Sequence, residues 1–104
     1  MDSFSDKRVS PRIPAKIPIT VEGRDSDRNA VREETYTLLI NEAGALIALA
    51  ANFRLNELTR VTNRSTGQKV ECRIAWRSAE PLDGRWSYGI ALLDAPPDFW
   101  SETK

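Results

Sequence analysis

Alternation of apolar and polar residues in several short segments is the feature that most constrains the fold of this chain. In the first segment, residues 13–21, the odd positions are apolar. A period of two is typical of a β-strand with one buried face. Pro14 and Pro18 fall on the opposite face and cannot donate main-chain hydrogen bonds. We therefore expect this strand to lie at a sheet edge or to pair on one side only.

Five more segments predict strands at about residues 35–40, 45–50, 58–63, 68–76 and 86–92. Gly44, Gly67 and the pair Asp83-Gly84 mark tight turns between them. Residues 22–34 are almost all polar and predict a loop, and residues 52–57 predict an irregular connection. Six strands joined by short turns favour an all-β fold, a six-stranded antiparallel barrel in which closure removes exposed strand edges.

The chain has 104 residues, which is the size of one domain. Residues 1–12 are polar and predict a flexible basic N-terminal arm, residues 13–100 the barrel, and residues 101–104 a short tail. Pro97 suits the first position of a short C-terminal helical turn. Phe99 and Trp100 then follow as packing residues at one end of the barrel, or alternatively as aromatic contacts for a partner.

Charge and composition exclude several classes of function. The 15 basic and 15 acidic residues balance, so a nucleic-acid polymer is an unsuitable partner, whereas a small anion needs only a local basic cluster. The chain has no histidine and one cysteine, which excludes internal disulfides and histidine-based catalysis. Cys72 lies on the apolar half of an alternating segment and should be a buried, unreactive thiol. We therefore expect no enzyme, no metal site and no resident cofactor.

The location of the protein is inferred from the same sequence. No segment approaches the roughly 18 apolar residues of a membrane span. The N-terminal segment is polar and contains acidic residues, unlike a secretory signal peptide. We expect a protein of the bacterial cytoplasm that contacts no membrane.

One pair of arginines is distinguished by its position in the sequence. Arg8 and Arg12 lie on the basic arm, separated by three residues, and lead directly into the first predicted strand. Guanidinium groups bind phosphates through paired hydrogen bonds and stack on aromatic planes, which lysine does less well. The same spacing occurs in four other arginine pairs of this chain, Arg24/Arg28, Arg28/Arg32, Arg60/Arg64 and Arg73/Arg77. The alternative interpretation is therefore a solvated basic segment without a ligand.

The arm and the following barrel pattern resemble the PilZ domain family, over about residues 7–100. Members of that family carry an arginine pair at this spacing ahead of the barrel. Their second motif is an Asp or Asn, one residue, a Ser, two residues and a Gly, between the second and third strands. The matching turn here contains Asn41 and Gly44, and the ending Pro97-Asp98-Phe99-Trp100 is similar to that of single-domain members.

The resemblance implies a non-catalytic receptor for the bacterial second messenger cyclic di-GMP. Carried over residue by residue, it implies a ligand site formed by Arg8, Arg12, Asn41 and Gly44. The second motif departs from the family pattern, because Leu39 replaces the Asp or Asn and Asn41 replaces the Ser. Loss of one guanine contact would cost roughly 1–3 kcal/mol.

Two alternatives remain open at this point. One is a PilZ-type barrel that no longer binds nucleotide and acts as a protein-interaction adaptor. The other is a different small barrel, such as an SH3-like fold that binds RNA or peptides. With no output domain on this chain, the receptor interpretation also requires a downstream partner protein.

Overall fold

The computed structural model describes residues 12–101, and these form an all-β structure. The strands are β1 (Ile13–Pro14), β2 (Pro18–Arg24), β3 (Ala30–Asn41), β4 (Gly44–Leu49), β5 (Leu58–Asn63), β6 (Lys69–Arg77) and β7 (Trp86–Leu93). No helix in the described part of the chain is long and apolar enough to cross a membrane.

Six strands close into an antiparallel barrel, as the sequence predicts. Around the barrel the order is β3, β2, β5, β6, β7 and β4, and the pairing of β4 with β3 completes the circle. The two-residue β1 pairs with the end of β3, with Ile13 opposite Ile40. Closure leaves each of the six long strands paired on both sides, so none presents a free edge.

Strand β3 makes closure possible because it changes partners along its length. Its first half pairs with β2, from Ala30 to Tyr36, and its second half pairs with β4, from Thr37 to Asn41. A β-bulge between Thr37 and Leu39 marks the change. A bulge bends a strand and increases its twist, which is how one strand can belong to two sides of a barrel.

The barrel interior is a single apolar core supplied by inward-facing residues of β2 and β4 to β7 and by the connections, while β3 adds the partly buried Val31 and Ile40. Its fully or almost fully buried members are Ile17, Ile19, Val21, Ile47, Leu49, Phe53, Val61, Cys72, Ile74, Tyr88, Ile90 and Phe99. The predicted burial of Cys72 is confirmed, since its side chain is inaccessible to solvent. Outward positions alternate with these along each strand, so the two faces of the sheet carry separate sets of residues.

The predicted first strand is present but interrupted. Residues 15–17 separate β1 from β2, and the buried hydroxyl of Thr37 ties this break to β3. The Thr37 Oγ1 accepts a hydrogen bond from the Ile17 amide at 2.9 Å and donates one to the Ala15 carbonyl at 2.6 Å. The Thr37 hydroxyl and the pairing of β1 with β3 therefore both fix residues 13–17 to the barrel.

The expected loop over residues 22–34 is wrong in extent. β2 continues to Arg24 and β3 begins at Ala30, with a short turn between them. In that turn Asp25 Oδ1 accepts hydrogen bonds from the amides of Asp27 and Asn29, both at 2.9 Å. On β3, Val31 packs against the core and the Glu33 carboxylate accepts hydrogen bonds from the amides of Ala50 and Ala51, so the inward positions of this hairpin hold one apolar and one polar side chain.

The C-terminal segment folds back against the barrel without forming the expected helix. Its backbone makes isolated turns, with hydrogen bonds from Phe99 to Pro96 and from Ser101 to Asp98. The buried Asn63 holds it, because the amide nitrogen of Asn63 donates to the carbonyls of Phe99 at 2.8 Å and Ser101 at 2.7 Å. Phe99 is buried and Trp100 packs on the same core, which confirms the packing interpretation.

Candidate ligand-binding site

A cavity of about 490 Å³ opens on the outer face of the barrel, where β1, the β3–β4 turn, β6 and β7 meet. Its lining residues are Arg12, Leu39, Ile40, Asn41, Ala43, Gly44, Ala45, Leu46, Ala75, Trp76, Gly89, Ile90 and Ala91. Ligand pockets for drug-sized molecules usually span roughly 300–1,000 Å³, so this cavity is of suitable size for one nucleotide-sized ligand. Three of the four residues that the sequence singles out lie in it.

Asn41 shapes the turn at one wall of the cavity. Its Oδ1 accepts hydrogen bonds from the amides of Ala43 and Gly44, both at 2.9 Å. This is an Asx-turn, in which a side-chain oxygen replaces a backbone acceptor. The nitrogen of the same side-chain amide makes no hydrogen bond within residues 12–101, so it is available to donate to a ligand.

Gly44 is required by the limited space between β4 and β7. It is buried at the start of β4, and a Cβ atom there would overlap the main-chain carbonyl of Ile90 on β7. The glycine therefore allows β4 and β7 to approach at the base of the turn. It shapes the cavity through the backbone and offers no side chain to a ligand.

Arg12 lies at the mouth of the cavity, immediately before β1, and is exposed. Within the described residues its guanidinium makes no hydrogen bond or ion pair, and the cavity lining contains no carboxylate. Among the described residues that line the cavity, Arg12 is the one that carries a charge, and that charge is positive. The other arginine of the motif, Arg8, lies outside the described residues.

An apolar row forms the floor of the cavity across four neighbouring strands. The register places Leu39 of β3 opposite Leu46 of β4, Leu46 opposite Gly89 of β7, and Gly89 opposite Trp76 of β6. A Cβ atom on Gly89 would lie 3.3 Å from the Trp76 Cβ, so the glycine allows β6 and β7 to pack closely beside this tryptophan. Trp76 is exposed and lines the cavity, and an indole is a side chain on which an aromatic base can stack.

Trp76 is the site residue that sequence reasoning missed. Its place after Val70, Cys72 and Ile74 predicts an inward, core-facing side chain. In the structure a β-bulge between Ile74 and Trp76 shifts the register, and Trp76 is 51% exposed. No residue in the sequence marks this bulge, so the alternating pattern gives no signal that Trp76 faces outward.

Residues 12–101 can also be assessed for two other kinds of chemistry, a cysteine nucleophile and a metal centre. Burial raises the pKa of Cys72 to about 11, although its hydrogen bond with Thr59 acts in the opposite direction. A protonated thiol inside the barrel is a poor nucleophile, and Cys72 does not line the cavity. Residues 12–101 contain no cluster of side chains suited to holding a metal ion.

The closed six-stranded barrel with an arginine-lined cavity on its outer face has the features of a small binding module. The sequence model of the PilZ domain matches residues 6–102, nearly the whole chain. The chain therefore belongs to the PilZ domain family, whose members are binding and adaptor domains. The match excludes the SH3-like alternative for the fold. No curated protein matches the sequence closely enough to suggest a more specific function.

Proposed function

We propose that this protein is a non-catalytic receptor for cyclic di-GMP in the bacterial cytoplasm. The observation that carries the proposal is the meeting of Arg12, the Asn41–Gly44 turn and the exposed Trp76 around one cavity. Cyclic di-GMP presents phosphates, guanine edges and guanine faces. The cavity offers a cation, an amide donor and an apolar floor, which are the partners that these three features need.

Arg12 is positioned to bind phosphate or to stack on a guanine, since its guanidinium has no competing carboxylate in the lining. Arg8 lies four residues earlier on the arm, and we propose that it contributes a second guanidinium. Each charge-assisted hydrogen bond contributes roughly 1.5–3 kcal/mol. Ordering the arm opposes this gain, so we expect binding to be coupled to ordering of residues before Ile13.

Asn41 and Gly44 supply the second wall in this proposal. The Asn41 amide nitrogen can donate to an acceptor on a guanine edge while its oxygen keeps the turn in place. Gly44 acts indirectly, because it lets the turn lie close to β7. Trp76 and Leu46 add the stacking surface, and Trp76 joins the four residues that the sequence suggests.

Leu39 lowers the expected affinity. It lines the cavity opposite Leu46, at the position where the family motif has a carboxylate or amide. A leucine there offers apolar contact but no hydrogen bond to a base edge. The missing contact corresponds to about a ten- to hundred-fold weakening. This same feature favours the second candidate, an adaptor that binds a partner protein without nucleotide.

Calorimetric titration separates the two candidates. Cyclic di-GMP is titrated into the wild type, into Arg8→Ala/Arg12→Ala, and into Arg24→Ala/Arg28→Ala as a control with equal spacing and charge change. The receptor proposal expects saturable binding by the wild type and the control, and none by the first variant. Absence of saturable binding to the wild type at near-millimolar ligand would overturn it and leave the adaptor.

A further inference from the structure

A second surface, separate from the cavity around Asn41, lies on the outer face of β3 beside the β-bulge between Thr37 and Leu39. We call it the Tyr36 surface, and it consists of Lys16, Tyr36, Leu38, Arg64 and Arg85. It borders a shallow groove of about 530 Å³ that also includes Pro14 and Ala48. None of its five residues lines the proposed nucleotide cavity.

Tyr36 is the centre of this surface. The Lys16 ammonium nitrogen lies 4.9 Å from the centre of its ring, and the Arg64 guanidinium carbon lies 5.9 Å from it. The backbone fixes this arrangement, since the Arg64 amide donates to the Pro18 carbonyl at 2.8 Å and Pro18 pairs with Tyr36 across β2 and β3. The ring nevertheless remains 46% exposed.

Leu38 continues the apolar part of the surface, two residues along β3, and is 50% exposed. Arg85 also lines the groove, with its guanidinium 3.5 Å from the hydroxyl of Thr35, the residue before Tyr36. Large apolar side chains left exposed within one groove, and ringed by polar ones, are typical of interaction sites. Tyrosine and arginine are also among the residues that contribute most to binding at protein interfaces.

The charges on this surface are unbalanced. The ion pairs within residues 12–101 are Arg28 with Glu57 and Arg32 with Glu22, and neither involves Lys16, Arg64 or Arg85. Glu34 lies two residues before Tyr36 on the same face of β3, and its carboxylate forms no ion pair with the three cations. A chain with zero net charge thus concentrates positive charge around one apolar patch.

We propose that the Tyr36 surface binds an acidic segment of a partner protein, with an apolar side chain of that segment placed between Tyr36 and Leu38. Charge complementarity favours an acidic partner, because the cations around Tyr36 attract carboxylates. A segment in which carboxylates flank an apolar side chain would match this surface. The partner binds through side chains and not by strand addition, because β3 is already paired with β2 and β4.

The test follows backbone amide signals by NMR while a synthetic peptide of alternating glutamate and leucine is added to the full chain. The expected result is a saturable set of shifts centred on Lys16, Tyr36, Leu38, Arg64 and Arg85. A peptide with lysine in place of glutamate should produce no such set. The Lys16→Glu/Arg64→Glu variant should bind the acidic peptide at least about ten-fold more weakly than the wild type.

The matched control is Arg60→Glu/Lys69→Glu, which makes the same change in net charge at exposed positions on β5 and β6. It should bind the acidic peptide like the wild type, and the amide spectra of both variants report whether they are folded. Equal weakening in the two variants would mean non-specific charge attraction and would overturn the proposal. Shifts centred on residues 39–46, or shifts equal for the two peptides, would also overturn it.

Discussion

The main-chain carbonyl oxygen of Ile90 fills the space that a Cβ atom on Gly44 would occupy. Gly44 begins β4 and pairs with Ala91, so this close approach brings the β3–β4 turn against β7. The amide of Leu92, also on β7, donates to the Ala43 carbonyl at 2.7 Å and fixes the same turn. The turn that carries Asn41 is therefore held by packing of main chain on main chain.

Gly44→Ala should destabilise the protein by about 3 kcal/mol or more, because the added methyl can be accommodated only if β4 and β7 move apart. Urea unfolding measures the free energy of unfolding. Gly89→Ala is the comparison, since its methyl would meet the Trp76 Cβ at 3.3 Å, a tight contact but not an overlap. If the two variants lose equal stability, the close approach of Gly44 to Ile90 is not the cause.

Leu39→Asn should tighten cyclic di-GMP binding about ten-fold, because an amide replaces a leucine in the cavity lining and can hydrogen-bond a base edge. Leu39 is only partly buried, so the substitution should leave the fold intact. Calorimetric titration gives the dissociation constant. Leu39→Val, which adds no polar group, should bind like the wild type; tightening in both would argue against a hydrogen bond.

Asn63→Ala should reduce the free energy of unfolding by about 2–3 kcal/mol, because the buried Phe99 carbonyl and Ser65 amide lose their hydrogen-bond partner. The loss should be local as well as global. Amide hydrogen exchange is therefore expected to accelerate most in residues 94–101. Gln68→Ala, at an exposed position after the β5–β6 turn, serves as the control and should leave that exchange unchanged.

Stability at alkaline pH should depend on Cys72. Burial raises the pKa of its thiol from 9.0 to about 11, so the folded protein holds the proton more tightly than the unfolded chain. This contribution is complete below pH 9.0 and is lost as the pH rises from 9.0 to about 11.

Urea unfolding at about pH 8 and about pH 10.5 measures this effect. Between these two pH values the free energy of unfolding of the wild type should fall by about 2 kcal/mol more than that of Cys72→Ala. Both proteins share the titration of lysines and tyrosines, which therefore cancels. Parallel losses in the two proteins would show that the thiol is not the group responsible.

Much of the barrel could be predicted because its core strands obey a period of two. The segments containing Ile19, Cys72 and Tyr88 alternate clearly, and all three residues are buried. The hairpin between β2 and β3 escaped prediction, because its inward positions on β3 hold one apolar residue, Val31, and then the polar Glu33, which leaves no apolar period. The break at Ala15 was equally hidden, since it depends on the hydroxyl of Thr37, twenty-two residues away in sequence.

The grouping of candidate site residues was predictable where it depends on local sequence. Asn41 and Gly44 lie in one short turn, and Arg12 is three residues from the barrel break, so the structure brings these three to one cavity. Arg8 lies outside the described residues, and its role stays a prediction. Trp76 could not be placed, because a bulge turns it outward from an alternating segment that otherwise faces the core.

The row formed by Leu39, Leu46, Gly89 and Trp76 lies on the outside of strands whose inner faces build the core. Substitutions on this row change what the cavity recognises while the inward residues that stabilise the barrel stay the same. The outward side chains of Leu39, Leu46 and Trp76 can therefore vary without altering the inward residues that stabilise the barrel. The chemistry of the cavity and the stability of the fold are thus set by different residues of the same strands.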